Sequence, residues 1–394
     1  MPELYKVLGQ VSPSDTTENV LYVSPANTQS LISNITVVNR SASAQTFDIN
    51  IYNSVASPNI FVAVAYGPLT AAASSTDGIT WTLRTMPASA NWTAAAFGNN
   101  TFVAVAQGPS TTAASSTDGI TWTLRTLPAS AVWYGAAFGN NTFVAVAYNT
   151  STAAASSTDG ITWTLRTLPV LGYWSSPAFG NNTFVAVTLF TTYAASSTDG
   201  ITWTQRTMPA NPNWSAAAFG NNTFIALSPT TTAASSTDGI TWTLRTLPAN
   251  ATWYGAAFGN NTFVAVGSGT TKAMTSTDGI TWTLRTLPAN PNWNSVSFGN
   301  NTFVAVAQGP TTTAASSTDG ITWTLRTMPT SAGWWGTAFG SFSSPASNNL
   351  YKNVTIAANS FQVLEPGITL APQNSIVVKG NSNLTFSTYG LEIS

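Results

Sequence analysis

Apolar and polar positions alternate along this chain in short runs, with no helical period sustained over three turns. The run Thr101–Ala106 sets Phe102, Ala104 and Ala106 against Val103 and Val105. Both sets are apolar, which suits a strand in a sheet packed on both faces. Similar runs recur at a fixed interval. The segment SSTDGITWTLRT returns seven times with small changes, its aspartates at Asp77, Asp118, Asp159, Asp199, Asp238, Asp278 and Asp319. Their spacing is 41, 41, 40, 39, 40 and 41 residues. A period near forty holding several short strands is the signature of a propeller blade.

One repeat divides into four strands. WTAAAF (strand A) leads through the turn GNN to TFVAVA (B), then through a variable stretch to AASST (C). An Asp-Gly turn leads to ITWTLRTL (D), which a proline closes. Asp-Gly predicts a tight hairpin, since both positions take positive φ cheaply, and the Asp side chain there can bond nearby backbone N–H groups. The first copy enters at B (Phe61) and the last leaves after A (Phe339-Gly340). One blade therefore takes B, C and D from the start and A from the end. That exchange closes the ring and removes its open inner edges.

The sequence outside the repeat also reads as strands: VLYVS, SLISNITVVN and TFDINIYN before it, YKNVTIAAN, FQVLEPGITL, NSIVVKG and LTFSTYGLEI after it. Together they make roughly a hundred residues, a usual size for one sandwich. The predicted fold is all-β: a seven-bladed propeller over 56–340, inserted into a small, jelly-roll-like β-sandwich formed by 1–55 with 341–394. Because the propeller is entered before B and left after A, the sandwich replaces one A–B turn and is expected on that face.

Composition narrows the chemistry. Only 6% of residues are charged and the net charge is −1. That disfavours nucleic acid, whose phosphates need a basic surface, and electrostatic attachment to anionic lipid. With neither Cys nor His, disulfides, thiolate or imidazole metal sites and histidine-based triads are excluded. No metal or cofactor is expected. No apolar run reaches the length of a membrane helix, and MPELYKVLGQVSPSD lacks the pattern of a signal peptide.

Fourteen of the fifteen tryptophans occupy two repeat positions; Trp335 is the exception. Perfect register points to packing between blades rather than to an aromatic sugar-binding ladder. The seven Arg of the D strands, Arg84 to Arg326, read as charges that discourage edge pairing, as ion-pair partners of the box Asp, or as an anion-binding ring. The Asn-Asn-Thr triplets match the glycosylation sequon, but their place in the A–B hairpin marks a turn where Asn tolerates positive φ.

Ser-Thr-Asp-Gly-Ile-Thr-Trp resembles the Asp-box of sialidase-like propellers, one residue shorter between Asp and Gly. In that family the box is a structural turn away from the catalytic centre. A sialidase implies an arginine cluster, a Tyr nucleophile with a Glu partner and an acidic donor. The propeller holds no Glu, its only acids are the seven box Asp, and its only bases are the seven Arg and Lys272. A ring of equivalent groups does not supply the asymmetric carboxyl pair of a glycosidase, so no enzyme is expected. The flanks, YKVLGQ, LYVSPANTQSLISNITVVNRSASAQTFDINIY and VTIAANSFQVLEPGITLAPQNSIVVKGNSNLTFSTYGLEIS, resemble small β-sandwich virion proteins of tailed bacteriophages, particularly those of cyanobacteria. That resemblance implies a component of the virion exterior, made in the host cytoplasm, partnered with capsid or tail proteins and oligomeric through the sandwich, for instance as a trimer.

The repeats differ among themselves mainly in the B–C and D–A loops, which share the face opposite the uniform turns. The residues there offered as contacts are Tyr66, Gln107, Tyr148, Tyr173, Phe190, Tyr193, Lys272 and Gln308. The expected function is a non-enzymatic phage surface protein. In it the sandwich anchors to the particle and the propeller displays loops to host-surface glycans. A purely cementing capsid role is the rival and a glycan hydrolase the third reading.

Overall fold

The computed structural model describes residues 6–13, 18–25, 29–52, 59–67, 69–108, 110–149, 151–210, 213–342, 347–366, 368–370, 375–380 and 382–393. Every regular element among them is a strand. The chain divides into two compact units, Met1–Ser57 with Phe342–Ser394, and Pro58–Ser341.

The first unit is a pair of antiparallel sheets. One orders Lys6–Val11, Leu384–Ile393, Gln29–Asn39 and Phe361–Leu364, with Ile368–Leu370 also paired to Gln29–Asn39. The other orders Glu18–Val23, Ser375–Lys379, Gln45–Tyr52 and Ser347–Ile356. Each sheet is stitched from both ends of the chain: Val37 lies opposite Phe386, and Ile49 opposite Val378. Ile32, Ile35, Val37, Phe47, Ile49, Ile376, Val378 and Phe386 bury their side chains in one core.

The second unit is a ring of seven four-stranded antiparallel blades. In the second blade strand A (91–98) pairs with Thr101–Gln107, which pairs with Ser110–Ser116, which pairs with 123–126. The first blade takes Ile60–Tyr66, Leu69–Ser75 and 82–85 from the start of the unit and its inner strand, 333–340, from the end. Trp334 lies opposite Ala65, and Phe339 opposite Phe61.

The D–A connections differ from the loops read in the sequence. At four junctions D runs straight into the next A as one 17-residue strand, as in Thr82–Gly98 and Thr324–Gly340. The three junctions that break all begin Pro-Ala-Asn, at 209–211, 248–250 and 288–290. Asn favours local side-chain bonding over the sheet ladder, and a second proline at 212 and 291 removes an amide donor.

Packing between blades explains the repeat. Val103, Val105 and Ala113 of one blade meet Phe143, Ala145, Ala147 and Ala155 of the next, with Leu127, Trp133 and Trp163 between them. Flat alanine rows receive large rings, the interdigitation a void-free interior requires. The strand-A tryptophans are wholly buried and the box tryptophans nearly so. A ring of that size removes about 150–250 Å² from water, worth on the order of 4–6 kcal/mol at about 25 cal/mol per Å².

Candidate functional site

The Asp-Gly turn follows the prediction in part. Gly78 takes φ +70°, but none of the box aspartates has positive φ. As expected, Asp77 Oδ1 accepts the backbone N–H groups of Ile79 and Thr80, and also the hydroxyl of Ser75, each at 2.8 Å. All seven boxes repeat this arrangement. Burial pushes the carboxyl of Asp77 upward, but the bonds from Thr80, Ile79 and Ser75 outweigh it and hold the group below its ordinary value. Asp159, Asp199, Asp238, Asp278 and Asp319 behave alike. The repeat arginines do not turn to these carboxylates. Arg84 Nε donates to Ser74 Oγ on strand C, and the other six make the same bond to Ser or Thr.

The Asn-Asn turns link blades. Both Asn of each pair have positive φ. The first donates from Nδ2 to the carbonyl inside the next blade's box, as Asn99 does to Thr158 and Asn140 to Thr198. Six junctions carry this latch, the last running from Asn300 to Thr76.

The opposite end of the ring lacks this uniformity. A cavity of about 210 Å³ lies on the axis, lined by the inner strands of all seven blades. The blades differ most at the residue following each strand-A tryptophan, Thr93, Tyr134, Ser175, Ser215, Tyr254, Asn294 and Trp335, of which all but Ser175 line the cavity. A register shift falls at this residue in most blades, as between Trp92 and Ala94. Such bulges re-aim a side chain. Four of the seven tie their blade to the next. Thr93 donates to the carbonyl of Trp133, Ser175 to that of Trp214, Ser215 to that of Trp253, and Asn294 to that of Trp335. The other three are aromatic, line the cavity, and are each followed by glycine. A Cβ on Gly135 would stand 2.4 Å from Pro177 Cδ, on Gly255 3.0 Å from the backbone of Ser295, and on Gly336 2.9 Å from Ala94 Cα. The glycines let neighbouring inner strands touch where no side-chain tie is made.

From the axis the rings continue outward. Tyr66 and Trp335 lie 4.4 Å apart between centroids, Trp335 and Tyr134 6.3 Å at 84°, and Tyr134 and Tyr148 5.1 Å, stacked. Tyr148 and Tyr173 follow at 5.0 Å and 66°, then Tyr173 and Phe190 at 5.2 Å and 83°. Phe190 is 54% exposed at φ +64°, its amide donated to Asn213 Oδ1. A bulky residue in that region is costly unless its surroundings hold it there. Burial, then the neighbouring Tyr254, Tyr148 and Tyr66, push the Tyr134 phenol far above its usual range. Burial, with Tyr173 and Tyr254, also raises Tyr148. Both shifts favour the protonated phenol, which can donate a hydrogen bond.

Four of the eight residues offered from the sequence, Tyr66, Tyr148, Tyr173 and Phe190, therefore fall into one continuous arc. The other four do not join it by any ring contact. Gln107 and Gln308 end their B strands opposite Asn91 and Asn292, Tyr193 opens a C strand, and Lys272 Nζ donates to the Asn250 carbonyl. Loop positions 68, 109, 150 and 211–212 lie outside the described residues. Tyr134, Tyr254 and Trp335 were not among the residues offered. Their signal was present: Trp335 broke the count of two tryptophans per blade, at the one inner-strand position where the copies disagree most.

No family model matches this sequence, and no curated protein matches it. Solved structures match by fold. A streptogramin B lyase aligns at TM-score 0.58 and 12% identity, over 83% of this chain and 100% of that one. Virginiamycin B lyase from Staphylococcus aureus aligns at 0.55 and 10%, over 73% and 94%. Its inactive histidine-to-alanine variant with quinupristin aligns at 0.56 and 13%, over 66% and 96%. The fold class is that of β-propellers. The phage surface role drawn from the flanking strands is corrected here. The three solved structures just described are lyases, similar in fold alone, and none of them is a virion protein. Physically, the flanks offered alternating strands and small residues, a pattern that any small β-sandwich satisfies.

Proposed function

We propose that this protein is a non-catalytic binding propeller that takes an uncharged ligand at the axial mouth of its varied face. The observation that carries this reading is the exchange of a side-chain tie for an aromatic ring at Tyr134, Tyr254 and Trp335, with glycine following each. A purely structural ring would tie all seven blades alike. The three rings share one small cavity with the polar side chains of Thr93, Ser215 and Asn294, and polar groups so placed orient a small ligand. The S. aureus lyase of this fold was solved with quinupristin, but its inactive form lacks a histidine, and this chain has none. That supports binding without turnover.

The test is an NMR titration of the whole chain with neutral fragments: indole, cyclohexanol and N-acetylprolinamide. Trp335 is only partly buried while the fourteen repeat tryptophans are enclosed. The Trp335 indole resonance should therefore move while the other fourteen stay. No movement at millimolar fragment would remove the reading.

A further inference from the structure

Whatever ligand the mouth takes, we infer that Tyr148 and Tyr173 are an oxidative cross-linking site, at which peroxide and a haem peroxidase join the third blade to the fourth through a dityrosine bond. Oxidation is directed there by what the rest of the propeller withholds. Cys and exposed Met are common targets of oxidants. The chain has no Cys, and the propeller's four methionines, Met86, Met208, Met274 and Met328, are buried. Its fourteen repeat tryptophans are buried as well. The remaining oxidisable rings are gathered together. Tyr66, Tyr134, Tyr148 and Tyr173 join Trp335 in the arc, and Tyr254 lines the cavity with Tyr134. Tyr193 is the propeller's one other tyrosine.

Geometry picks one pair. Tyr148 ends strand B of the third blade, and Tyr173 begins the strand-A pairing of the fourth, opposite Leu189. Their ring centres stand 5.0 Å apart at 66°. That sets a ring edge at van der Waals distance from its neighbour, about 3.5–4.0 Å between carbons. After burial, Tyr173 is the next influence raising the Tyr148 phenol, so the hydroxyl ends and the carbons ortho to them are neighbours. Both rings are half-buried, and water reaches them to take up protons. Tyr134 also lies against Tyr148, at 5.1 Å, but it is stacked at 28°. Stacking sets face on face, whereas a biaryl bond joins ring edges. Burial also opposes loss of the Tyr134 phenol proton.

In the reaction each phenol gives up one electron and one proton and becomes a phenoxyl radical. The two radicals couple by a carbon–carbon bond between ortho carbons, and the hydrogens on those carbons move as protons to the oxygens. Hydrogen peroxide accepts the two electrons and two protons released, its O–O bond breaks, and two waters form. The link closes a loop between residues 148 and 173 and restrains the unfolded chain, as a disulfide does. It is a covalent tie that a chain without Cys cannot make through sulfur.

The experiment treats the whole chain with hydrogen peroxide and a haem peroxidase, then reads dityrosine emission and tryptic peptide masses on the monomeric fraction. Cleavage after Arg125, Arg166 and Arg206 leaves Tyr134 and Tyr148 in peptide 126–166, and Tyr173 and Tyr193 in peptide 167–206. These two peptides should appear joined, lighter by two hydrogens, as the main dityrosine product. Tyr173→Phe, which keeps the ring, should abolish the joined product, while Tyr134→Phe and Tyr193→Phe should leave it in full. Chain unfolded in denaturant before treatment should lose the preference for this pair. A link confined to peptide 126–166 would be Tyr134 with Tyr148 and would overturn the assignment. So would a joined product that survives in Tyr173→Phe or is equally favoured in the unfolded chain. Absence of dityrosine under conditions that couple free tyrosine would overturn the site altogether.

Discussion

The two ends of the propeller are made by the same repeat under opposite constraints. At the uniform end, the Asp turns repeat one hydrogen-bond pattern, each Asn-Asn turn meets the same partner, and so do six of the seven Phe-Gly pairs. Gly98 shows how tight this is: a Cβ there would stand 2.1 Å from the ring of Phe138 in the next blade. At the varied end, the residue after each strand-A tryptophan is tied to its neighbour in four blades and released in three. Identity among copies thus reports an inter-blade contact, and disagreement inside a strand reports that the contact has been given up.

The largest test of this contrast compares two tryptophans in adjacent sequence positions of the repeat. Trp133 is fully buried between blades and donates to the Ala129 carbonyl. Trp335 is partly buried at the mouth. Trp133→Ala should cost about 3–5 kcal/mol, read by denaturant unfolding of the whole chain. Trp335→Ala should cost about 1 kcal/mol or less, within the range of partly exposed substitutions. Equal losses would mean that the mouth is ordinary core and would break the comparison.

How much of this was legible from the sequence divides along the same line. The seven-blade ring and its closure by strand exchange could be read because Phe61 and Gly340 bracket the repeat out of phase, a purely topological fact. The rim aromatics could be read because loops vary openly. Tyr134, Tyr254 and Trp335 were missed because they sit in strand A, where alternation suggests packing. Only the bulge beside each tryptophan turns them to the axis, and a bulge leaves no mark in apolar-polar order. The Asp-Gly pair was legible in part: the Asp side chain bonds backbone N–H groups as expected, but the positive φ falls on Gly78 alone. Two residues favouring a turn do not say whether backbone φ or a side-chain acceptor makes it, and here the carboxylate of Asp77 makes it. Of the three readings offered for the arginines, pairing with that carboxylate is not what is seen: Arg84 Nε reaches Ser74 across the ladder instead.

The second test is acidity. Six box carboxylates titrate below their ordinary value near 3.8 because they accept amide and hydroxyl hydrogens. A folded-state value lowered in this way adds stability that is present above the unfolded value and is lost as pH falls through the folded one. Thermal unfolding should therefore be flat with pH above about 5 and fall steadily below about 4. Asp159→Asn, which keeps an acceptor but removes the charge, should lower Tm at neutral pH and flatten the acid limb slightly. At the mouth, burial moves the Tyr134 and Tyr148 phenols upward, away from this range. An acid limb unchanged by Asp159→Asn would mean that the uniform face is not held by its carboxylates.

The smallest effect isolates a single latch. Asn140 Nδ2 donates to the Thr198 carbonyl at 2.8 Å, and the bond is solvent-exposed. Its loss is worth about 0.5–1.5 kcal/mol, but Asn140 also sits at φ 43°, where alanine is strained. Asn140→Gly separates the two contributions, since glycine accepts positive φ freely and removes only the bond. Asn140→Gly should then be less destabilised than Asn140→Ala, with both milder than Trp133→Ala. If Asn140→Gly matches the wild type in unfolding midpoint, the latch carries no energy. The uniformity of that face would then reflect turn conformation alone, and identity among the copies would report backbone geometry there rather than contact between blades.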